Sequence, residues 1–156
     1  MSDIVLQRDV GSLGSLLRLS AAASAVAAGA GDAATTTGAT IDRMGFSSGS
    51  MPMTLAAAIA YEATLQTGKT LAFGYAAQDS ADGTNWSDYQ TGTSAIVATG
   101  STAASVVAGQ MEVGVNLTSA RRFVRFNHAP DLSATGTDTA QSRAVGFFAG
   151  FDRLPQ

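Results

Sequence analysis

The clearest signal in the chain is a period of two. Across Met53–Leu65, the residues Leu55, Ala57, Ile59, Tyr61 and Ala63 fall on one face, and Thr54, Ala56, Ala58, Ala60 and Glu62 on the other. Successive side chains of a strand point to opposite faces, so this run predicts a long strand buried on one side. Thr70–Gln78 repeats the pattern with Leu71, Phe73, Tyr75 and Ala77, and Gln66–Lys69 between the two runs reads as a hairpin turn. Asp82-Gly83 is a second turn signal, since glycine and aspartate tolerate the tight backbone a hairpin needs. Trp86 and Tyr89 open the return strand.

Further strands are expected at Ala95–Thr99, Ser105–Leu117, Arg122–Asn127 and Arg143–Phe151, with Asp131–Gln141 as a long polar loop. Thr40–Met44 alternates over a short stretch. The region from Leu16 to about Ala25 satisfies both helical and strand spacing; Leu17, Leu19 and Ala21 alternating with Arg18 and Ser20 favour a strand. Residues 1–14 read as an extended N-terminal arm with an apolar patch at Asp3–Leu6, and 15–156 as a single domain. The fold class is therefore all-β: an antiparallel β-sandwich, jelly-roll-like, with that arm in front.

Composition changes the picture of the surface. Charged residues make up 13% of the 156 residues, against about 25% in an average soluble domain. Ala, Ser, Thr and Gly dominate. A surface this poor in charge suits a protein packed against neighbours, and equally an ordinary β-domain with an alanine bias. The net charge of −3 argues against nucleic acid as a partner, because phosphate binding needs a basic face. No run approaches the length of a membrane span, and Asp3, Arg8, Asp9 and Arg18 interrupt any signal-peptide pattern.

Candidate chemistry is sparse. With no cysteine there is no thiolate ligand, thiol nucleophile or disulfide. The single histidine, His128, sits in Asn127-His-Ala-Pro130, expected at a strand end, with no nucleophile motif near it; a surface or interface histidine is the expectation. The Asp79–Trp86 segment has oxygen ligands, but neither the spacing nor the closing Glu of a calcium loop. Glu62 and Glu112 are the only glutamates and mark no cleft. Trp86, Tyr89 and Tyr75 suggest a sugar platform, or else a core cap at the hairpin. No cofactor, metal or small-molecule substrate is expected, and no enzymatic activity.

What remains is a set of candidate contact residues. Ile4, Leu6 and Arg8 lie in the arm. Arg121, Arg122 and Arg125 form the one dense basic cluster, which meets an acidic partner patch or forms a solvated strand edge. Asp42-Arg43 and Asp152-Arg153 are candidate local or inter-subunit ion pairs. Asp82, Gly83 and Trp86 are candidate structural residues of the hairpin.

Gly38–Arg43, the strand Thr70–Ser80, the hairpin Ala81–Tyr89, the Arg121–Phe126 stretch and the ending Gly150–Pro155 occur in that order. Together they resemble tailed-bacteriophage virion proteins, in particular capsid cement or head-decoration proteins of β-sandwich type. The resemblance implies a subunit on the outer capsid surface, made in the host cytoplasm. Its implied partners are the major capsid protein and copies of itself, as a homotrimer around three-fold positions. Neck, tail or spike-base proteins and a carbohydrate-binding module are the alternatives.

Overall fold

The structure is a computed structural model, described here for residues 13–46, 50–133 and 135–151. The described residues form nine strands: β1 (Gly14–Arg18), β2 (Ala23–Val26), β3 (Ile41–Asp42), β4 (Thr54–Leu65), β5 (Thr70–Ser80), β6 (Ser87–Thr99), β7 (Ser105–Asn116), β8 (Phe123–Leu132) and β9 (Thr139–Ala149). They form two antiparallel sheets. The first has the order β1-β9-β4-β7, with β2 also pairing β9; the second has β3-β8-β5-β6. If β1 and β2 are taken as one interrupted strand, this is the strand order of a jelly roll.

The alternation in β4 assigns its faces as expected: Leu55, Ala57, Ile59, Ala63 and Leu65 are buried, while Ala56, Ala60 and Glu62 face out. From the opposite sheet Leu71, Phe73, Ala77, Val124 and Phe126 close on them, and Phe148 of β9 completes the centre. Several expectations are corrected. Leu16–Ala25 is not one strand, because Ser20 interrupts it: its hydroxyl accepts from Ala144 N (3.0 Å) and donates to Ala21 O. The Gln66–Lys69 turn is not a hairpin within a sheet but a corner that carries the chain from the first sheet to the second. It is held by Gly68 N donating to Gly100 O and by Gly100 N donating to Lys69 O.

Ala95–Thr99 is not a separate strand. It is the second half of β6, whose register against β5 slips at three places. One slip follows from Gly92: a Cβ there would lie 2.0 Å from the Tyr75 ring, so only glycine lets the ring lie across the strand. The Asp131–Gln141 loop shrinks to residues 133–138 because both flanking strands run on into it. Gly14 already pairs with Ala149, so the sheet begins one residue inside the stretch read as an arm.

Candidate protein-contact surfaces

The Asp82-Gly83 turn joins β5 to β6. The Asp82 carboxylate accepts from Thr84 N, Asn85 N, Asn85 Nδ2 and Ser80 Oγ, at 2.7 to 2.9 Å. Those donors hold it ionised, well below the usual carboxylate range, the Asn85 backbone bond contributing most. The carboxylate is thus the organiser of an Asx turn. Gly83 takes a positive φ of 76°, with the Phe123 ring 3.6 Å from where a Cβ would stand. Trp86 ends the turn just before β6 and is half-buried.

The three clustered arginines all find partners within the chain. Arg121 and Arg122 precede β8, and only Arg125 of the three lies in it. Arg121 Nε donates to Asp79 Oδ1 (3.0 Å), its Nη2 to Asp79 O (2.8 Å) and its backbone N to Asp79 Oδ2 (2.9 Å). These bonds, above all the side-chain one, pull the Asp79 carboxyl below its ordinary value and push the Arg121 guanidinium up. Arg122 grips Asp42 through two bonds, Nε to Oδ1 at 2.9 Å and Nη2 to Oδ2 at 2.6 Å, and its guanidinium lies 4.8 Å from the Phe123 ring centre. Arg125 lies over Trp86 at 4.3 Å and donates to Gln78 Oε1 at 2.7 Å; Asn127 Nδ2 donates to the same oxygen.

Asp42 therefore pairs with Arg122 and not with its neighbour Arg43. Arg43 is buried (2% exposed) and donates to the backbone carbonyls of Ala120, Arg121, Pro52 and Leu117. Burial lowers its pKa, an effect opposed by Tyr89 and Asp79. Nothing in the sequence marked Arg43 as different from the other arginines. It bolts the 117–121 turn and Pro52, from the ends of the first sheet, to the second.

The outer face of the first sheet is chemically different. Register places Leu16, Phe147, Ala56 and Gly114 in one row and Arg18, Val145, Ala58 and Glu112 in the next. A third row holds Arg143, Ala60 and Gln110, and a fourth Gln141, Glu62 and Ala108. Its charges are Arg18, Arg143, Glu62 and Glu112, two of each sign. None of them forms an ion pair among the described residues, where the only two are Asp79–Arg121 and Asp42–Arg122. Leu16 is 71% and Val106 68% exposed at the two sides of this face.

His128 is not at a strand end or on the surface. It lies inside β8, is 1% exposed and points between the sheets, with Nε2 3.1 Å from Ser142 Oγ and Nδ1 without a partner. Burial lowers its pKa below 6.5, favouring the neutral ring. The three aromatics suggested for sugar binding do not share a platform. Tyr75 stacks inward on Phe126 (ring centres 5.6 Å apart), Tyr89 donates to Asn116 O (2.7 Å), and Trp86 is covered by Arg125 on the outer face. No cluster of three or more metal-ligating side chains occurs among the described residues, and none of their helices is long and apolar enough to cross a membrane. Ile4, Leu6, Arg8, Asp152 and Arg153 lie outside the described residues.

No protein-family model matches the chain, and no curated protein matches its sequence. Among solved structures it is similar to a chain in the structure of infectious bursal disease virus, Gt strain, at 13% identity and a TM-score of 0.44. That alignment covers 88% of this chain and 33% of the other, so this chain spans a third of its length.

Proposed function

We propose that this chain is a non-enzymatic virion structural protein that decorates a bacteriophage capsid and cements neighbouring major capsid protein subunits. The observation that carries the reading is the outer face of the first sheet. It is a broad surface of Ala56, Ala58, Ala60, Gly114, Val145 and Phe147, net neutral and without ion pairs among the described residues. Small side chains let another backbone approach closely, and the stretch Phe147, Ala56, Gly114, Val145 and Ala58 carries no charge to desolvate. Arg121 and Arg122 keep 41% and 50% of their side-chain surface exposed, but like Arg125 beside them they are held by partners within the chain and lie away from this face.

Each contact of this kind is modest alone. Repeated around a closed lattice it becomes strong through multivalency, without any catalysis. The partners are the major capsid protein and copies of this chain, on the outer capsid surface; the sequence resemblance implies three-fold positions. Quantitative mass spectrometry of purified particles tests this. A copy number stoichiometric with the major capsid protein is expected. About a dozen copies per particle moves the chain to the neck or tail, and absence from particles overturns the virion reading.

A further inference from the structure

The edges of the two sheets are not equally protected. β3 is two residues long, β1 and β2 are broken at Ser20, and β6 slips register three times. All of these discourage pairing with another chain. β7 has none of these devices. It pairs with β4 in unbroken register over all its 12 residues, and it contains no proline, no lysine and one charge, Glu112.

Leu117 N donates to Met53 O, and antiparallel hydrogen-bonded pairs alternate. The odd-numbered residues of β7 therefore bond β4. The even-numbered ones, Val106 to Asn116, turn their N–H and C=O away from it. Two of these outward carbonyls are already taken from β6: Gln90 Nε2 donates to Gly114 O (3.0 Å) and Tyr89 Oη to Asn116 O (2.7 Å). The capped half ends there. Among the described residues, none pairs with the outward edge of Val106, Ala108, Gln110 and Glu112.

We propose that this open half of β7 pairs antiparallel with the same segment of a second copy, joining two first sheets across a two-fold axis at Gly109. The segment is self-complementary in that register: Val106 of one copy lies opposite Glu112 of the other, and Ala108 opposite Gln110. Every outward N–H and C=O in the window then meets a partner. The two Glu112 carboxylates sit at opposite ends of the pairing, so like charges do not meet. Each is already held by Gln110 Nε2 of its own strand at 2.6 Å. A two-residue slip toward the capped half would set Val106 against Gly114, whose carbonyl Gln90 occupies, so the caps define the register. At the axis, glycine faces glycine.

The test uses the full chain in sedimentation equilibrium and oxidative crosslinking. Wild type is expected at twice the chain mass. Ala108→Pro removes only an outward N–H, leaves the β4 ladder intact, and is expected to weaken association at least tenfold with an unchanged circular dichroism spectrum. Should that variant not fold, the double variant Val106→Lys/Ala108→Lys brings four lysines to the joint and is expected to give the same loss. The chain has no native cysteine. Mixing Ala108→Cys with Gln110→Cys should therefore yield a heterotypic disulfide, while either alone crosslinks poorly, because equivalent positions sit about 7–8 Å apart. A monomeric or trimeric wild type, or a dimer indifferent to these changes, overturns the proposal. The outcome is independent of the capsid reading: a chain that dimerises this way but is absent from particles keeps the pairing and loses the decoration role.

Discussion

The outer faces of the two sheets are built from the same chain with opposite uses of charge. On the second sheet, charges are internally committed: Asp79 holds Arg121, Asp42 holds Arg122, and Arg125 is sandwiched between Gln78 and Trp86. On the first, the four charged residues sum to zero and form no ion pairs among the described residues, and alanine fills the centre. A low charge content is therefore not spread thinly over the whole surface. Much of it fastens loops on one sheet, and the other face is left smooth. The second sheet should respond to mutation through stability, and the first through association.

The largest expected effect is at the bolt between the sheets. Arg43→Ala strands four backbone carbonyls and should cost about 3 kcal/mol or more in urea unfolding. A smaller loss would mean that water replaces the guanidinium and that the joint does not depend on it. Acidification comes next. The folded-state pKa of His128 lies below its ordinary 6.5, so the unfolded chain binds more protons as pH falls through that value, and stability falls with it. Melting temperature should drop between pH 7.5 and pH 5, and His128→Gln should flatten that slope. The Asp42 and Asp79 contributions act in a separate window, present above the ordinary carboxylate value of 3.8 and lost as pH falls below it.

Asp79→Asn should lower the melting temperature by a few degrees, because Arg121 keeps only neutral acceptors; salt should narrow the gap between variant and parent. Trp86→Ala removes the ring under Arg125 and should cost about 0.5–1 kcal/mol. The smallest effect on folding belongs to the first sheet. Ala56→Glu is exposed, breaks no bond, and should change stability by less than about 0.5 kcal/mol. A large loss there would erase the distinction between the faces.

The sequence was most readable where periodicity was uninterrupted. In β4 the alternation named the buried face, and Asp82-Gly83 named the turn. Sheet membership was not legible, because period two says which face is buried but not which sheet a strand joins; the Gln66–Lys69 corner therefore looked like a hairpin. β6 looked like two strands because its register slips, one of them at Gly92, break the alternation. His128 misled because a polar type in a turn-like Asn-His-Ala-Pro context suggests surface, whereas Ser142 from the other sheet gives it a buried partner. The arginines were recognised as a cluster, but their partners Asp42 and Asp79 lie 80 and 42 residues away. Nothing local announced that pairing.

The comparison of the two faces reduces to one measurement: the affinity of the purified chain for capsids lacking it, for Ala56→Glu beside Trp86→Ala. The account predicts that Ala56→Glu, folded and as stable as its parent, binds at least tenfold more weakly, while Trp86→Ala binds within a few-fold of it. Undiminished binding by Ala56→Glu would contradict the claim that the smooth face of the first sheet is the contact face.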